Sequence, residues 1–186
     1  QRGAWRGSGF ELATQGWASI RAAEGLFIST TARPQQGASV ASTQMDAAES
    51  VSLLKAGNDL GRRLSEAAGS QQALKLASHD DGQAVPALIQ QIDPAQDGKY
   101  TGPVNGQEAK KANPGSRDLG EPVERFNESV LLMDSASAAA FATVATVVSY
   151  AGQDHTVAVQ GDLHEAAAHT ASSVSGRTTS VFTHEG

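Results

Sequence analysis

The sequence has no cysteine and few large apolar side chains. Leu, Ile, Val and Phe together supply 35 of the 186 residues, whereas alanine alone supplies 32. Without cysteine the chain has no disulfide, no thiolate metal ligand and no cysteine nucleophile. Because alanine has little apolar area to bury, this composition argues against a monomeric enzyme built around a large Leu- and Phe-packed core.

Basic stripes and long hydrophobic runs are also missing. The formal net charge is −6, so we expect no nucleic-acid partner, since phosphate binding needs a basic surface. No apolar run approaches the roughly 18 residues of a spanning helix, so we expect no stable membrane insertion. Disorder usually goes with more charge or with more proline than the 6 present here. The composition therefore favours an ordered fold of small residues that is repetitive or oligomeric.

Residues 1–42 have the pattern of short strands. Apolar residues alternate with polar ones in three sets separated by glycines at positions 9, 16 and 25; the sets are Phe10, Leu12 and Thr14, then Ala18, Ile20 and Ala22, then Leu26, Ile28 and Thr30. Alternation at period two with a glycine every seven to nine residues predicts short strands joined by tight corners.

Residues 43–128 form a helical insertion with a polar loop. Thr43 and Asp46 resemble a capping box, and they predict a helix from Thr43 to Ala68. Its apolar face follows spacings of three and four and is widened by Val51 and Leu54; the other residues are Leu53, Gly57, Leu60, Leu64 and Ala67. A second helix is expected at 85–92, and residues 93–122, rich in Gly and Pro, are expected to be mostly loop. The first helix either packs on its own domain or on a symmetry mate, or it binds a partner.

Residues 129–186 are dominated by Ala, Ser, Thr and Val and return to a strand pattern. Val-x-Gly occurs twice, and repeat units begin at Tyr150, Val159, Ala167 and Val174, with spacings of nine, eight and seven. A period near eight matches a strand plus a corner, as in a β-helix or β-prism. One chain would leave open strand edges, so we expect several chains to wind together. The predicted fold class is mainly β with a helical insertion.

The histidines are the first candidates for a metal site. Four of the five lie in the last segment: His155, His164, His169 and His184. The run from His164 to His169 superficially resembles HExxH, but a zinc protease needs its histidines four residues apart on one helix face. Around a threefold axis, three copies of one histidine or of Asp162 would be able to hold an ion. A solvated strand face is the simpler interpretation, and we predict no metal.

A second candidate is the run His79, Asp80 and Asp81. These residues form either a histidine–carboxylate pair or, more simply, a turn that leaves a helix ahead of Gly82. The sequence has no G-x-S-x-G, no P-loop and no G-x-G-x-x-G. We therefore predict no catalytic residues and no cofactor, and expect that the chain is not an enzyme.

Five runs in order resemble one known family: GSGFELATQGWASIRAAEGLFISTTAR, QMDAAESVSLLKAGNDLGRRLSEAA, ESVLLMDSASAAAFAT, AGQDHTVAVQGDL and SGRTTSVFTHEG. They are similar to the C-terminal domain of VgrG, the trimeric spike protein of bacterial type VI secretion systems. The resemblance covers essentially the whole chain. The sequence departs from the family pattern in its sparse valine–glycine repeat and in the helical insertion. The resemblance supplies no catalytic residues.

The resemblance implies a homotrimeric spike whose strands wind into a β-helix, and a chain that is part of a longer protein with base and neck domains before it. It implies two further partners, a spike-tip protein and an effector or adaptor protein. It also implies residence in the bacterial cytoplasm before firing, followed by secretion or delivery into a target cell. The expected function is structural, with docking of effector cargo. The alternatives are an enzymatic effector extension, such as a hydrolase, and a trimeric surface-adhesin stalk.

Overall fold

A computed structural model describes residues 11–32, 45–93, 103–104, 107–108, 126 and 128–184. In chain order the elements are β1 (Leu26–Ser29), α1 (Ala48–Ser70), a 3₁₀ turn (Ala77–His79), α2 (Ala84–Ile92), β2 (Pro103–Val104), β3 (Gln107–Glu108) and β4 (Leu131–Asp134). The second predicted helix is confirmed by α2, which begins one residue earlier than expected. A short antiparallel pair, β2 and β3, lies within the segment predicted as loop.

Strands β1 and β4 are parallel neighbours although they are far apart in the chain. Leu26 pairs with Leu131 and Ser29 with Asp134, and the N–H of Leu26 donates to the carbonyl oxygen of Val130 at 2.9 Å. The chain thus leaves the strand pattern after β1 and returns beside it. A parallel connection needs a long crossover, and here the intervening residues include both helices.

Helix α1 begins later than the capping-box pattern predicted. Its first residue is Ala48, and a carboxylate oxygen of Asp46 accepts the N–H of Ala48 at 3.1 Å. Asp46 therefore satisfies one of the free donors at the helix start, as Asp commonly does at helix N-termini. Thr43, the other half of the predicted box, lies outside the described residues.

The predicted apolar face of α1 is buried only in part, at Val51 and, less completely, at Leu54. The buried residues are Ser50, Val51, Asn58, Gly61, Ser65 and Ala68, whereas Leu53 and Leu64 are 63% and 42% exposed. Small and polar side chains face inward because the following segment packs closely on them. The hydroxyl of Ser65 accepts the N–H of Leu76 at 2.9 Å, which satisfies a donor beside the helix.

A small apolar core joins the helices to the strand pair. Its buried members are Ala47, Val51, Ile89, Ile92 and Phe126. Phe126 is 1% exposed, and its ring centroid lies 6.3 Å from that of Phe27 on β1. Leu132 on β4 packs against the same cluster. The core therefore fixes the helical insertion on one side of β1 and β4.

Beyond β4 the chain is extended and bends at a constant interval. Bends lie at 136–137, 144–145, 152–153, 160–161, 168–169 and 176–177, every eight residues, and the same spacing separates bends at 15–16 and 23–24. The average period predicted from the sequence is thus confirmed, but its phase was wrong: the repeats are 138–145, 146–153, 154–161, 162–169 and 170–177. Within 135–184 no segment pairs with another as a strand.

The repeats leave their large apolar side chains in solvent. Val144, Val174 and Val181 are more than 90% exposed, as are Tyr150 and, before β1, Trp17. Large exposed apolar patches on proteins are typical of interaction surfaces. Neither α1 nor α2, the α-helices of the described residues, has the length and apolar content needed to cross a bilayer.

Candidate interaction surface

Helix α1 runs along the repeats and meets them at regular intervals. The hydroxyl of Ser50 donates to the carboxylate of Asp134 at the start of the helix. Two helical turns further, a Cβ at Gly57 would lie 4.0 Å from the Cβ of Ala158. Leu64, seven residues on again, lines the same cleft as Phe182. The repeat residues 134, 158 and 182 are 24 residues apart, so every third repeat returns to α1.

The repeats turn alternate positions toward the helices. We number the positions of each repeat from its first residue. Positions three and five lie at the helical insertion; they are Leu132 and Asp134, Thr156 and Ala158, and Ser180 and Phe182. Because eight is an even number, the period-two alternation of a strand keeps its phase from one repeat to the next. The even positions therefore share the opposite face, which carries exposed apolar residues such as Met133, Phe141 and Val157.

The contacts along α1 are too far apart for paired strands of one chain. Ser50 and Gly57 are seven residues apart, which corresponds to about 10 Å along an α-helix. Neighbouring strands in a sheet lie about 4.8 Å apart. Between two successive contacts the chain therefore leaves space for further strands.

Two clefts occupy this space. The first, of about 480 Å³, is bounded by Leu53 and Leu54 of α1, by Val85 and Leu88 of α2, and by Ala158 of the repeats. The second, of about 500 Å³, includes Leu64, Leu74 and Leu76 on the helical side and Phe182 on the repeat side. Polar groups also border both clefts, among them Asn58 and Asp154 in the first and Lys75 in the second. The apolar parts of the walls suit an apolar side chain from outside the protomer.

A third opening beside α1 is charged. It is lined by Asp59, Arg62, Arg63, Glu66 and Gln160, and its volume is about 580 Å³. Both signs of charge are present, and the Arg62 guanidinium lies 3.4 Å from the Asp81 carboxylate. This mixture has no net preference for an anion or a cation, so the opening carries no recognisable ligand chemistry.

The candidate histidine–carboxylate pair is not assembled. His79 is 3% exposed, and its Nδ1 lies 3.1 Å from the side-chain oxygen of Asn58. Asp81 instead lies beside Arg62, with its side chain 90% exposed. His79 thus connects the 3₁₀ turn to α1, a structural role that the sequence pattern did not indicate. A glycine at position 61, within the helix, was the available signal, since it makes room for the histidine ring.

The histidines of the last segment are solvent-exposed and lie apart. His155 has an even position and His164 an odd one, so the two belong to opposite faces, while His169 lies at a bend. In the part of the chain that the structure describes, no three His, Asp or Glu side chains are grouped to hold a metal ion. The absence of a metal site stays a prediction, and a ring formed by three copies of one histidine or of Asp162 stays the alternative to it.

Comparisons with known proteins agree with this architecture. The sequence family described as "Putative type VI secretion system Rhs element Vgr" matches residues 1–68. The structure is similar to "The VgrG spike from the Type 6 secretion system", with a TM-score of 0.67 and 20% identity over 96% of this chain and 53% of that chain. It is also similar to "Structure of the Tle1 effector bound to the VgrG spike from the Type 6 secretion system", with a TM-score of 0.64 and 18% identity over 96% of this chain and 43% of that one.

No curated protein matches the chain in sequence. The chain spans about half the length of the solved spike chains to which it is similar. The matches confirm the resemblance to VgrG and show that the fold is that of part of a VgrG spike.

Proposed function

We propose that the chain is a structural module of a VgrG-type spike in a type VI secretion system, in which three copies wind into a triangular β-prism and carry effector cargo. The observation that carries this proposal is the constant eight-residue bend together with the return of the repeats to α1 every 24 residues. Three straight segments per return correspond to a triangular cross-section.

The spacing along α1 supports several chains rather than one. A single chain that closed its own β-helix would stack residues 24 apart at about 4.8 Å, as paired strands require. The contacts at Ser50 and Gly57 are about 10 Å apart along the helix. About 10 Å is two strand spacings, so at least one strand of another copy lies between the two contacts. The number three follows instead from the triangular cross-section, on which a closed cyclic assembly has one copy for each side.

The composition of the two repeat faces supports the same assembly. The even positions carry the apolar residues Leu131, Met133, Phe141 and Val157, all exposed in one protomer. In a prism of three chains these side chains point inward and bury one another, whereas in isolation they would be in water. The driving force is ordinary apolar burial, roughly 25 cal/mol per Å².

The role is mechanical and needs no catalytic group. A closed prism has no free strand edges along its length, so it resists bending and unwanted pairing when it is driven forward. Effector or adaptor proteins dock on the outer surface, which includes the helical insertion, and a tip protein completes the spike. The solved VgrG spike bound to the Tle1 effector supports the cargo role. The spike would reside in the bacterial cytoplasm before firing and be delivered outward with its cargo.

Paired cysteines test the assembly cleanly because the native chain has none. In a prism of three chains, residue 172 of one copy lies beside residue 180 of the next, so the Ser172→Cys/Ser180→Cys variant should oxidise to a covalent trimer. The matched variant Thr156→Cys/Ser180→Cys, with the same outward positions but 24 residues apart, should stay uncrosslinked. Denaturing gels without reductant provide the measurement.

The two variants distinguish the possible assemblies. If the 156/180 pair instead closes within single chains and the 172/180 pair does not react, the repeats form a one-chain solenoid and the proposal is wrong. A 172/180 product that ends at covalent dimers would likewise rule out a threefold assembly. Disulfides tolerate Cα separations of about 4.4–6.8 Å, which includes the distance between neighbouring strands.

A further inference from the structure

The helical insertion has apolar clefts that its own chain does not fill. We propose that each insertion clamps two strands of one neighbouring protomer, with Tyr150 of that neighbour seated in the first cleft, beside Leu53 and Leu54, and Val174 of the same neighbour beside Leu64. This inference rests on the three-chain winding proposed above, and it assigns to α1 and α2 a role in joining protomers.

The order of strands on one side of the prism identifies the occupant. If each repeat climbs by one strand and turns to the next side, one side carries 130–137 of the first chain, then 138–145 and 146–153 of its neighbours, then 154–161 of the first chain again. The strand next to Ala158 is therefore 146–153 of a neighbour. Position five of that repeat, equivalent to Ala158, is Tyr150.

Helix α1 gives the level of each neighbouring strand. Ala158 lies at Gly57, and one strand spacing of about 4.8 Å corresponds to about three residues of α-helix. Three residues before Gly57 is Leu54, which borders the first cleft together with Leu53. By the same measure, residue 174 lies one strand before Phe182 and within a helical turn of Leu64, in the second cleft.

The side chains at these levels are complementary. Where the repeats pass beneath their own helices at the first cleft, their outward positions are the small residues Thr156 and Ala158. Of the repeats that no helix of the same chain covers, 146–153 and 170–177 carry larger apolar groups at these positions: Val148, Tyr150 and Val174 are 83%, 91% and 96% exposed. The repeats 138–145 and 162–169 carry alanine or histidine there. In the proposed prism, an apolar side chain that is exposed in one protomer therefore lies at a cleft that another protomer leaves unfilled.

The leucine face of α1 also has an explanation on this basis. Leu53 and Leu64 point away from the buried core of their own protomer and remain largely exposed. They lie at the two levels where the neighbouring strands bring Tyr150 and Val174. The sequence thus has two faces on α1, a small polar one that packs within the chain and a leucine one that packs between chains.

A cysteine pair across the proposed contact tests the clamp. The 186-residue chain with Leu53→Cys/Tyr150→Cys should give covalently linked chains with a short bismaleimide. The matched control is Leu53→Cys/Ser149→Cys, because Ser149 is adjacent in sequence but has an even position on the opposite face. We expect most chains of the first variant to be cross-linked into multimers and the control variant to give no cross-linked multimers.

The outcomes separate the clamp from the assembly itself. If 172/180 traps a trimer but 53/150 does not react, or reacts within one chain, the three-chain prism stands and the clamp is wrong. If 53/149 links chains as well as 53/150 does, the contact is non-specific and the clamp is also wrong. Failure of both the 172/180 and the 53/150 pairs would overturn the prism together with the clamp.

Discussion

Gly61, in the middle of α1, is the position at which a single methyl group should be most damaging. A Cβ there would lie 2.5 Å from both ring nitrogens of His79 and closer still to Cε1, far inside van der Waals contact. The ring has little freedom to move, because His79 is buried and its Nδ1 lies 3.1 Å from Asn58. Gly61→Ala should therefore displace His79 and the 3₁₀ turn that carries it.

The expected change in the free energy of unfolding combines one stabilising effect with two destabilising effects. Replacing glycine by alanine within a helix ordinarily stabilises it by about 1 kcal/mol. Overpacking a buried site costs about 1–3 kcal/mol, and loss of the His79–Asn58 hydrogen bond costs about 0.5–1.5 kcal/mol. The two costs exceed the gain, so Gly61→Ala should lower the free energy of unfolding of the helical insertion by about 1–3 kcal/mol.

Gly57→Ala is the matched control on the same helix. Its new Cβ would meet only the Cβ of Ala158 at 4.0 Å, an ordinary contact, so this variant should be neutral or more stable by up to about 1 kcal/mol. Urea unfolding followed by circular dichroism at the helical band measures both. Equal midpoints for the two variants would refute the reasoning. Adding His79→Ala should remove most of the Gly61→Ala cost if the imidazole ring is its cause.

Three other substitutions test the contacts that hold the insertion, each by the same unfolding assay. Ser50→Ala removes the hydroxyl that donates to Asp134, whose other carboxylate oxygen is already buried without a partner, and should cost about 1.5–3 kcal/mol; an unchanged midpoint would contradict this. Phe126→Ala should lower the free energy of unfolding by about 3–5 kcal/mol because the ring is fully buried, and a loss below about 1 kcal/mol would refute this prediction. Arg62→Ala should change the midpoint little, as an exposed ion pair contributes about 0–1 kcal/mol, so a large loss would indicate a further contact.

Helix α1 shows why its existence was predictable and its buried face was not. Apolar residues at spacings of three and four are enough to predict a helix, and α1 is present. The pattern cannot tell which face packs within the chain and which, on the proposal above, packs against another copy. Asn58, Gly61 and Ser65 are buried because a later segment brings His79 and the Leu76 N–H to them, and these tertiary contacts have no periodic signature.

The repeat phase was obscured for two physical reasons. Several corners have no glycine, as at 136–137, 144–145 and 168–169, so the Val-x-Gly spacing sampled only part of the series. In addition, β1 and β4 pair with an offset of 105 residues, one more than a multiple of eight, so no single period continues through the insertion. The eight-residue spacing becomes visible only where the backbone path itself is known.

The pairing of β1 with β4 explains how one chain acquires the correct phase before it meets its neighbours. Residues 135–184 have no strand partner within the chain, and a slip of one residue would exchange the inward and outward faces of every repeat. Phe27 and Leu132 prevent that slip, because both pack against the core around Phe126 and the helices. The insertion therefore sets the register locally, and in the proposed three-chain prism the apolar even positions face one another. On that proposal few large apolar residues suffice, because three chains would share one core.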